Sequence, residues 1–119
     1  MDSDDSTLPV IDYEQALENA AGEREIFDAV CESAIQEIPA LYYDLVRAVE
    51  KAEMPVGQRL AHTIKGAARV IAAIKTMTLS ERIELAMAES DLGKAQETIP
   101  ALCSAIDELK SELNESTES

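Results

Sequence analysis

The sequence predicts an all-α protein: an antiparallel up-and-down four-helix bundle with a short N-terminal helix. The chain has 119 residues, the usual size of one domain, and its apolar content of 46% is enough for one core. The aromatic residues are scarce, with three tyrosines, one phenylalanine and no tryptophan, so the core should be aliphatic. Apolar residues recur at intervals of three and four, and short turns with capping residues separate these stretches.

The first helix is predicted to be short, over residues 13–21. Asp12 is its expected N-cap, Gln15 occupies the capping-box position and Gly22 ends it. Because it carries few apolar residues, we expect it to cover one end of a larger body. The acidic, serine-containing segment 1–7 before it is predicted to be a disordered tail.

Longer helical stretches follow. Apolar periodicity continues over 23–53, where Pro39 is expected to kink the helix or split it in two. The next stretch begins at Pro55, a residue favoured in the first helical turn, and is predicted to end near Ile74. The run Thr78-Leu-Ser-Glu81 resembles a capping box and predicts the start of a further helix that ends near Ser90.

Asp91 is the expected N-cap of a last helix that reaches Leu113 and bends at Pro100. Residues 114–119 are predicted to be a second disordered tail, which leaves 8–113 as the helical domain. The short connections between the long helices favour antiparallel neighbours in an up-and-down bundle.

The formal net charge of −14 makes nucleic acids and anionic membranes poor partners. No apolar run approaches the roughly 20 residues that cross a bilayer, and the N-terminal residues lack the basic and apolar regions of a signal peptide. We therefore expect a cytoplasmic protein, and we expect it to be a monomer. Cys31 and Cys103 lie among apolar residues and are interpreted as reduced core residues. With one histidine and no Cys-x-x-Cys spacing, the sequence predicts no metal site and no cofactor.

The single histidine, His62, lies in the middle of the third helical stretch. At about 100° per residue, the predicted core stripe consists of Leu60, Ile64, Ala67, Ile71 and Ile74. The opposite, exposed side carries His62, Lys65, Gly66 and Arg69, with Gln58 and Ala73 at its two ends. The pattern therefore places the imidazole in solvent, where it could be a functional group or an inert surface residue.

Two neighbours favour a functional interpretation. A glycine inside a helix costs about 1 kcal/mol relative to alanine, and Gly66, one turn after His62, would leave a depression for another molecule. The alternative is close helix packing through Gly66. Lys65 and Arg69 could stabilise the negative charge of a phosphoryl group during transfer, or they could be ordinary solvated side chains.

Charge is distributed unevenly around His62. The chain holds 24 acidic residues, yet the stretch 54–80 contains none and includes four basic ones, namely Arg59, Lys65, Arg69 and Lys75. Such a basic patch would attract an acidic or phosphate-bearing partner. A neutral imidazole is nucleophilic near pH 7 without a second base. The sequence has no Gly-x-x-x-x-Gly-Lys-Ser/Thr nucleotide loop, so a phosphoryl group would have to come from a partner protein.

The run Ala61-His62-Thr63-Ile64-Lys65-Gly66-Ala67-Ala68 resembles the phosphoacceptor motif of histidine-containing phosphotransfer (HPt) domains. The resemblance extends along most of the chain, through the segments Val10-Ile-Asp12, Glu37-Ile-Pro-Ala-Leu41, Leu79-Ser-Glu-Arg-Ile-Glu84 and Asp91-Leu92. It implies a bundle without its own activity toward ATP. It also implies that His62 exchanges a phosphoryl group with the aspartate of receiver domains, those of a hybrid histidine kinase and of a response regulator, which supply an acidic pocket and Mg²⁺.

The resemblance also implies roles for particular residues. His62 is the phosphoacceptor, Lys65 its electrostatic support and Gly66 the residue that makes space. Some family members have a polar residue on the next helix that hydrogen-bonds the histidine, and Glu84 is the candidate here. The chain departs from the family pattern at Ala72, where a glycine is common, and this departure concerns local helix packing rather than the chemistry.

Other functions fit the sequence less well. A helical adaptor that binds receiver or kinase domains without accepting phosphate would need neither His62 nor Lys65. The phosphoacceptor domain of chemotaxis-type kinases shares the motif, but further catalytic domains follow it in those proteins. In kinase dimerisation domains an acid usually follows the histidine directly, unlike Thr63 here. An independent enzyme would need a second motif. The sequence leaves open whether this is a freestanding protein or a domain of a hybrid kinase.

Overall fold

The computed structural model describes residues 7–118, and within this range it contains helices and no strand. The helices are α1 (Tyr13–Asn19), α2 (Arg24–Glu50), α3 (Met54–Val70), α4 (Ile74–Ala88) and α5 (Leu92–Glu118). The all-α prediction is confirmed.

The four long helices form a closed arrangement. α2 packs against α3, α3 against α4, α4 against α5, and α5 against α2, while α1 packs on α2. All four contribute to the core, whose largest fully buried apolar side chains are those of Ile38, Leu45, Ile64, Ile71, Leu79, Ile83, Met87, Leu102 and Leu109. The core is aliphatic at its centre, as the composition predicts.

The turns between the long helices share one geometry. A residue with positive φ lies in each turn: Ala52 at 56°, Ala72 at 52° and Ser90 at 58°. The amide after it donates to a carbonyl five residues earlier, at 2.8–2.9 Å, which is the hydrogen-bond pattern of a Schellman motif. Connections this short favour antiparallel neighbours.

The left-handed conformation of Ala72 explains why glycine suits this position. A non-glycine residue in this conformation destabilises the fold by roughly 1–2 kcal/mol, and glycine avoids that cost. The greater conformational entropy of glycine in the unfolded chain offsets part of the resulting stabilisation. We therefore expect Ala72→Gly to raise the free energy of unfolding by about 0.5–1 kcal/mol, measured by urea denaturation. Ala72→Val, which adds a β-branched side chain at the same φ in a buried site, should lower it; equal stability of the two variants would contradict this account.

The α3–α4 boundary differs from the sequence prediction. α3 ends at Val70 rather than near Ile74, and α4 begins at Ile74, so the capping box predicted over 78–81 is wrong. The N-terminal segment explains the early start, because the carbonyl of Pro9 accepts from the amide of Lys75 at 3.1 Å and takes the place of a side-chain cap. Ser80 is buried within α4 instead of lying in its first turn.

Other boundaries agree more closely. The side chain of Asp12 accepts from the amide of Gln15, and that of Asp91 from the amide of Lys94, so both predicted N-caps are confirmed. Gln15 does not complete a capping box, because its side chain donates to Asn19. Pro39 lies inside an uninterrupted α2 and does not split it.

The C-terminal end of the described chain differs from its prediction. α5 continues to Glu118 rather than ending near Leu113, so 114–118 are helical instead of disordered. The predicted tail 1–7 lies outside the described residues, except for Thr7.

Both cysteines are free, as predicted. Cys31 is buried and Cys103 half-buried, and burial, with a smaller contribution from the charge of Asp28, raises the pKa of the Cys31 thiol to about 11. Within residues 7–118, no helix combines the length and apolarity that a membrane span needs.

Candidate functional site

His62 lies on the outer face of α3, and its side chain is 66% exposed. Ala61 and Ile64 on the same helix are fully buried, so packing against the core holds this part of α3 in place. The prediction of an exposed histidine on a packed helix is confirmed. A buried core histidine is excluded.

One nitrogen of the imidazole is engaged by the neighbouring helix. Nδ1 of His62 lies 2.8 Å from Oε2 of Glu84, a residue of α4. A carboxylate can accept but not donate a hydrogen bond, so this contact favours the tautomer in which Nδ1 carries the proton. In that tautomer the lone pair is on Nε2, the nitrogen that does not face Glu84. The predicted contact between Glu84 and His62 is present.

Lys65 does not extend freely into solvent beside His62. Its side chain is 13% exposed, and Nζ lies 2.8 Å from Oε1 of Glu84 and 3.6 Å from Oε1 of Glu81. The prediction that Lys65 lies on the exposed face is therefore wrong for its side chain. The helical period brings Lys65 near His62, but the ammonium group turns toward the carboxylates of α4.

Glu84 is therefore a shared partner, with one carboxylate oxygen toward each basic side chain. Its side chain is 15% exposed. Burial alone would raise the pKa of this carboxyl, but hydrogen bonding and charge from Lys65 and His62 outweigh burial and lower the pKa below its ordinary value. Glu84 thus remains ionised at neutral pH and can accept from Nδ1.

This lowered pKa predicts an acid-sensitive contribution to stability. A carboxyl with a depressed folded-state pKa stabilises the fold above its unfolded pKa, and the contribution disappears as pH falls through the folded value. Between pH 7 and pH 3 the free energy of unfolding should fall more for the native chain than for Glu84→Gln, which cannot titrate. The difference should develop below the ordinary value of 4.5. If urea denaturation showed the same loss of unfolding free energy in both proteins over this pH range, the result would contradict this account of Glu84.

Gly66 lies on the exposed side of α3, as predicted. A Cβ built at this position would meet no atom within 4 Å, so no neighbouring helix requires a glycine here. Gly57 on the same helix is different, because its missing side chain accommodates Met87 of α4. Close helix packing therefore explains Gly57 and not Gly66, and the space above Gly66 is open to solvent.

The basic patch divides into paired and unpaired groups. Lys65 pairs with Glu84, and Nζ of Lys75 lies 2.8 Å from Oε1 of Glu108 on α5. Arg59 and Arg69 are exposed on the face of His62, and among residues 7–114, whose side chains the structure describes, neither guanidinium has an ion-pair partner. The free positive charge near the imidazole thus comes from these two arginines. Gln58 is also exposed.

The position of Ala73 differs from its prediction. Ala73, expected at one end of the exposed face, is 0% exposed because α3 ends before it and the chain turns into α4 there. It cannot contact a partner. Glu81 was missed, although Glu81 and Glu84 are three residues apart and so share one side of α4. Among the described residues no group of three His, Cys, Asp or Glu side chains could hold a metal ion.

An exposed imidazole whose other nitrogen faces a carboxylate can act as a nucleophile toward a docked partner. The family model of the Hpt domain matches residues 29–115. The chain belongs to this family, whose members are phosphocarrier modules of two-component phosphorelays and interact with receiver domains.

The fold is also similar to a solved structure. The crystal structure of histidine-containing phosphotransfer protein B (HptB) from Pseudomonas aeruginosa PAO1 superposes with a TM-score of 0.85 at 12% sequence identity. The match covers 94% of this chain and 97% of that one. No curated protein matched the sequence.

Proposed function

We propose that His62 accepts a phosphoryl group from the phospho-aspartyl receiver domain of a hybrid histidine kinase and passes it to a response regulator. The observation that carries this proposal is the 2.8 Å contact between Nδ1 of His62 and Glu84, on an imidazole that is 66% exposed. It holds the ring in one orientation and keeps the Nε2 lone pair available to a docked partner.

This arrangement supports a transfer of the phosphoryl group to Nε2 of His62. Nε2 attacks the phosphorus atom of the partner's aspartyl phosphate, an N–P bond forms, and the P–O bond to the aspartate breaks and leaves a carboxylate. The ring becomes positively charged because Nδ1 keeps its proton. The Glu84 carboxylate, 2.8 Å away, stabilises that charge. The reverse sequence returns the phosphoryl group to a second receiver.

The partner completes the site. In this proposal the receiver brings the acidic pocket and Mg²⁺, and the described residues of this chain supply neither. The open space above Gly66 lets the partner approach the ring, while Gln58, Arg59 and Arg69 border the contact on the same exposed face. The two unpaired arginines attract the acidic surface of the receiver.

A labelling experiment tests this function. A receiver domain carrying ³²P-phosphate is incubated with the protein, and the label should move to this chain in an acid-labile, alkali-stable form that fragment mass spectrometry assigns to the peptide containing His62. The rival adaptor function predicts a complex, seen by titration calorimetry, without transfer of label. Binding without labelling across the receivers of the source organism would overturn the proposal in favour of the adaptor.

Gly66 offers a separate test of the docking face. Gly66→Ala should raise the free energy of unfolding by up to about 1 kcal/mol, because it improves helix propensity and meets no neighbour. The same variant should slow phosphotransfer from a receiver, since the methyl group enters the space over which the partner docks. Gly93→Ala, on the exposed start of α5, is the control that should leave transfer unchanged. A Gly66→Ala protein with an unaltered initial rate would show that the space is not used.

A further inference from the structure

We propose that an open pocket between α1 and α2 is a second protein-docking site, which binds a basic segment of a partner through one large apolar side chain. The pocket has a volume of about 240 Å³. It is lined by residues of α1, of the turn that follows and of α2, namely Tyr13, Leu17, Gly22, Arg24 and Phe27. All five lie outside α3 and α4, so this inference goes beyond the function proposed for His62 and does not rest on it.

The walls of the pocket are apolar and held in place. Phe27 is buried, and its ring centroid lies 6.4 Å from that of Tyr13 and 5.7 Å from the guanidinium of Arg24. The hydroxyl of Tyr13 donates to Glu112 of α5 at 3.1 Å. Tyr13 and Leu17, four residues apart on one side of α1, nevertheless remain 43% and 39% exposed. The pocket is therefore apolar surface that the described part of the chain leaves uncovered.

Gly22 keeps the pocket open. Its φ is 76°, a conformation that glycine adopts readily, and a Cβ built there would meet no atom within 4 Å. The volume of about 240 Å³ is smaller than the roughly 300–1,000 Å³ of small-molecule sites. The pocket therefore has room for one large side chain of a partner protein rather than for a cofactor.

The pocket lies on the side of α2 that faces α5, away from the acceptor helix. At about 100° per residue, Arg24 lies on the same line along α2 as Tyr42, whose side chain hydrogen-bonds that of Cys103 on α5. Ser33 lies on the opposite side of α2 and lines the groove toward Ala67 of α3. A partner in the pocket and a receiver on His62 would therefore use different sides of the bundle.

The stretch of chain that forms the pocket is strongly acidic. Residues 11–32 include one basic side chain and seven acidic ones, all exposed. The acidic residues are Asp12, Glu14, Glu18, Glu23, Glu25, Asp28 and Glu32. Three of them, Glu14, Glu18 and Glu23, directly follow lining residues in the sequence. The single base, Arg24, is already paired with Asp28 at 3.1 Å.

This charge determines which occupant fits the pocket. Anionic membranes and nucleic acids would be repelled. A second copy of this chain has a formal net charge of −14, and the charged side chains of segments 1–6 and 115–119 are all acidic, so neither complements the pocket. An apolar side chain flanked by lysine or arginine matches both the apolar walls and the acidic surroundings. The occupant is therefore a basic segment of another protein.

Peptide binding to the native chain tests this site. The probes are the peptides Lys-Lys-Leu-Lys-Lys and Lys-Lys-Ser-Lys-Lys, titrated into the ¹⁵N-labelled protein and followed by ¹H–¹⁵N spectra. The leucine peptide should bind about 10-fold more tightly, because only its central side chain can be buried. Its shifts should centre on the amides of Leu17, Gly22 and Phe27. Equal affinities, the absence of binding, or shifts centred on other helices would overturn the proposal.

Two leucines separate the pocket from apolar surface in general. Leu17→Ser should lower the affinity for the leucine peptide to that for the serine peptide. Leu85→Ser, at an exposed leucine of α4, is the matched control that should bind the leucine peptide as the native chain does. Circular dichroism establishes that both variants are folded. An equal loss of affinity in the two variants would overturn the proposal.

Two pairs of acids separate local charge from net charge. Glu14→Gln combined with Glu18→Gln should weaken binding of the leucine peptide by about 3-fold. The control is Glu50→Gln combined with Glu97→Gln, which removes the same charge at the end of α2 and in the first half of α5, and should have a smaller effect. Equal weakening would mean that only net charge attracts the peptide, which would overturn the proposal.

Leu17→Ser also distinguishes this site from other uses of the pocket. Transfer of label from a phosphorylated receiver to Leu17→Ser should equal that to the native chain, because the pocket does not include His62. A slower transfer would mean that the receiver itself occupies the pocket and would overturn the proposal. A dimer of the native chain, seen by sedimentation equilibrium and abolished by Leu17→Ser, would assign the pocket to a second copy and would also overturn it.

Discussion

Replacing His62 with glutamine should abolish phosphoryl acceptance and leave the fold unchanged. Glutamine is similar in size and polar, but it has no nucleophilic nitrogen, so no N–P bond can form. Because the side chain is 66% exposed, its replacement should change the free energy of unfolding by less than about 0.5 kcal/mol. The measurement is transfer of ³²P from a phosphorylated receiver, with the label expected to fall to background.

The same variant should still bind the receiver, because Gln58, Arg59, Gly66 and Arg69 are unaltered. A control shows that position matters as well as residue type: adding Gln96→His on the exposed side of α5 should not restore acceptance, since no carboxylate oriented like Glu84 is provided there. Label that persists on His62→Gln, or that reappears on the control variant, would contradict the assignment of His62.

The second large effect concerns the core beneath the site. Ile83 is fully buried and precedes Glu84 on α4, so Ile83→Ala removes packed methyl groups and leaves a cavity. Such substitutions cost about 2–5 kcal/mol. The urea concentration at the midpoint of denaturation should fall in proportion to this loss of free energy, while the slope of the transition stays unchanged.

Leu85, the residue after Glu84, is the matched control. It lies on the same helix but is 54% exposed, and Leu85→Ala should change the free energy of unfolding by no more than about 0.5 kcal/mol. Equal losses for the two variants would mean that the helix is rotated relative to the core. The pair therefore checks the orientation of α4, on which the placement of the Glu84 carboxylate toward His62 depends.

Features that depend on local spacing could be predicted from the sequence. The three- and four-residue periodicity identified the exposed side of α3, and with it His62 and Gly66. Asp12 and Asp91 were recognised as N-caps because an N-cap requires a short polar acceptor just before the helix. Each of these properties is determined by residues that are close together in the sequence.

Features that depend on contacts between distant parts of the chain could not be predicted from the sequence. The first turn of α4 is completed by the carbonyl of Pro9, which no pattern around Lys75 reveals. The position of Lys65 on α3 was predictable, but the direction of its long side chain is decided by carboxylates on another helix. Ala73 was misplaced because the left-handed turn at Ala72 ends α3 earlier than its apolar pattern suggests.

The three-residue turn at Ala72 has a consequence for recombining this protein with its relatives. His62, Lys65 and Glu84 all lie within 54–88, a single helical hairpin, so exchanging that segment would transplant the acceptor chemistry as one genetic block. The neighbouring helix α2 lies outside this segment and would remain that of the recipient protein. Chimeras cut at Glu53 and Glu89 would therefore separate residues that perform the transfer from any residues on α2 that help to choose the partner.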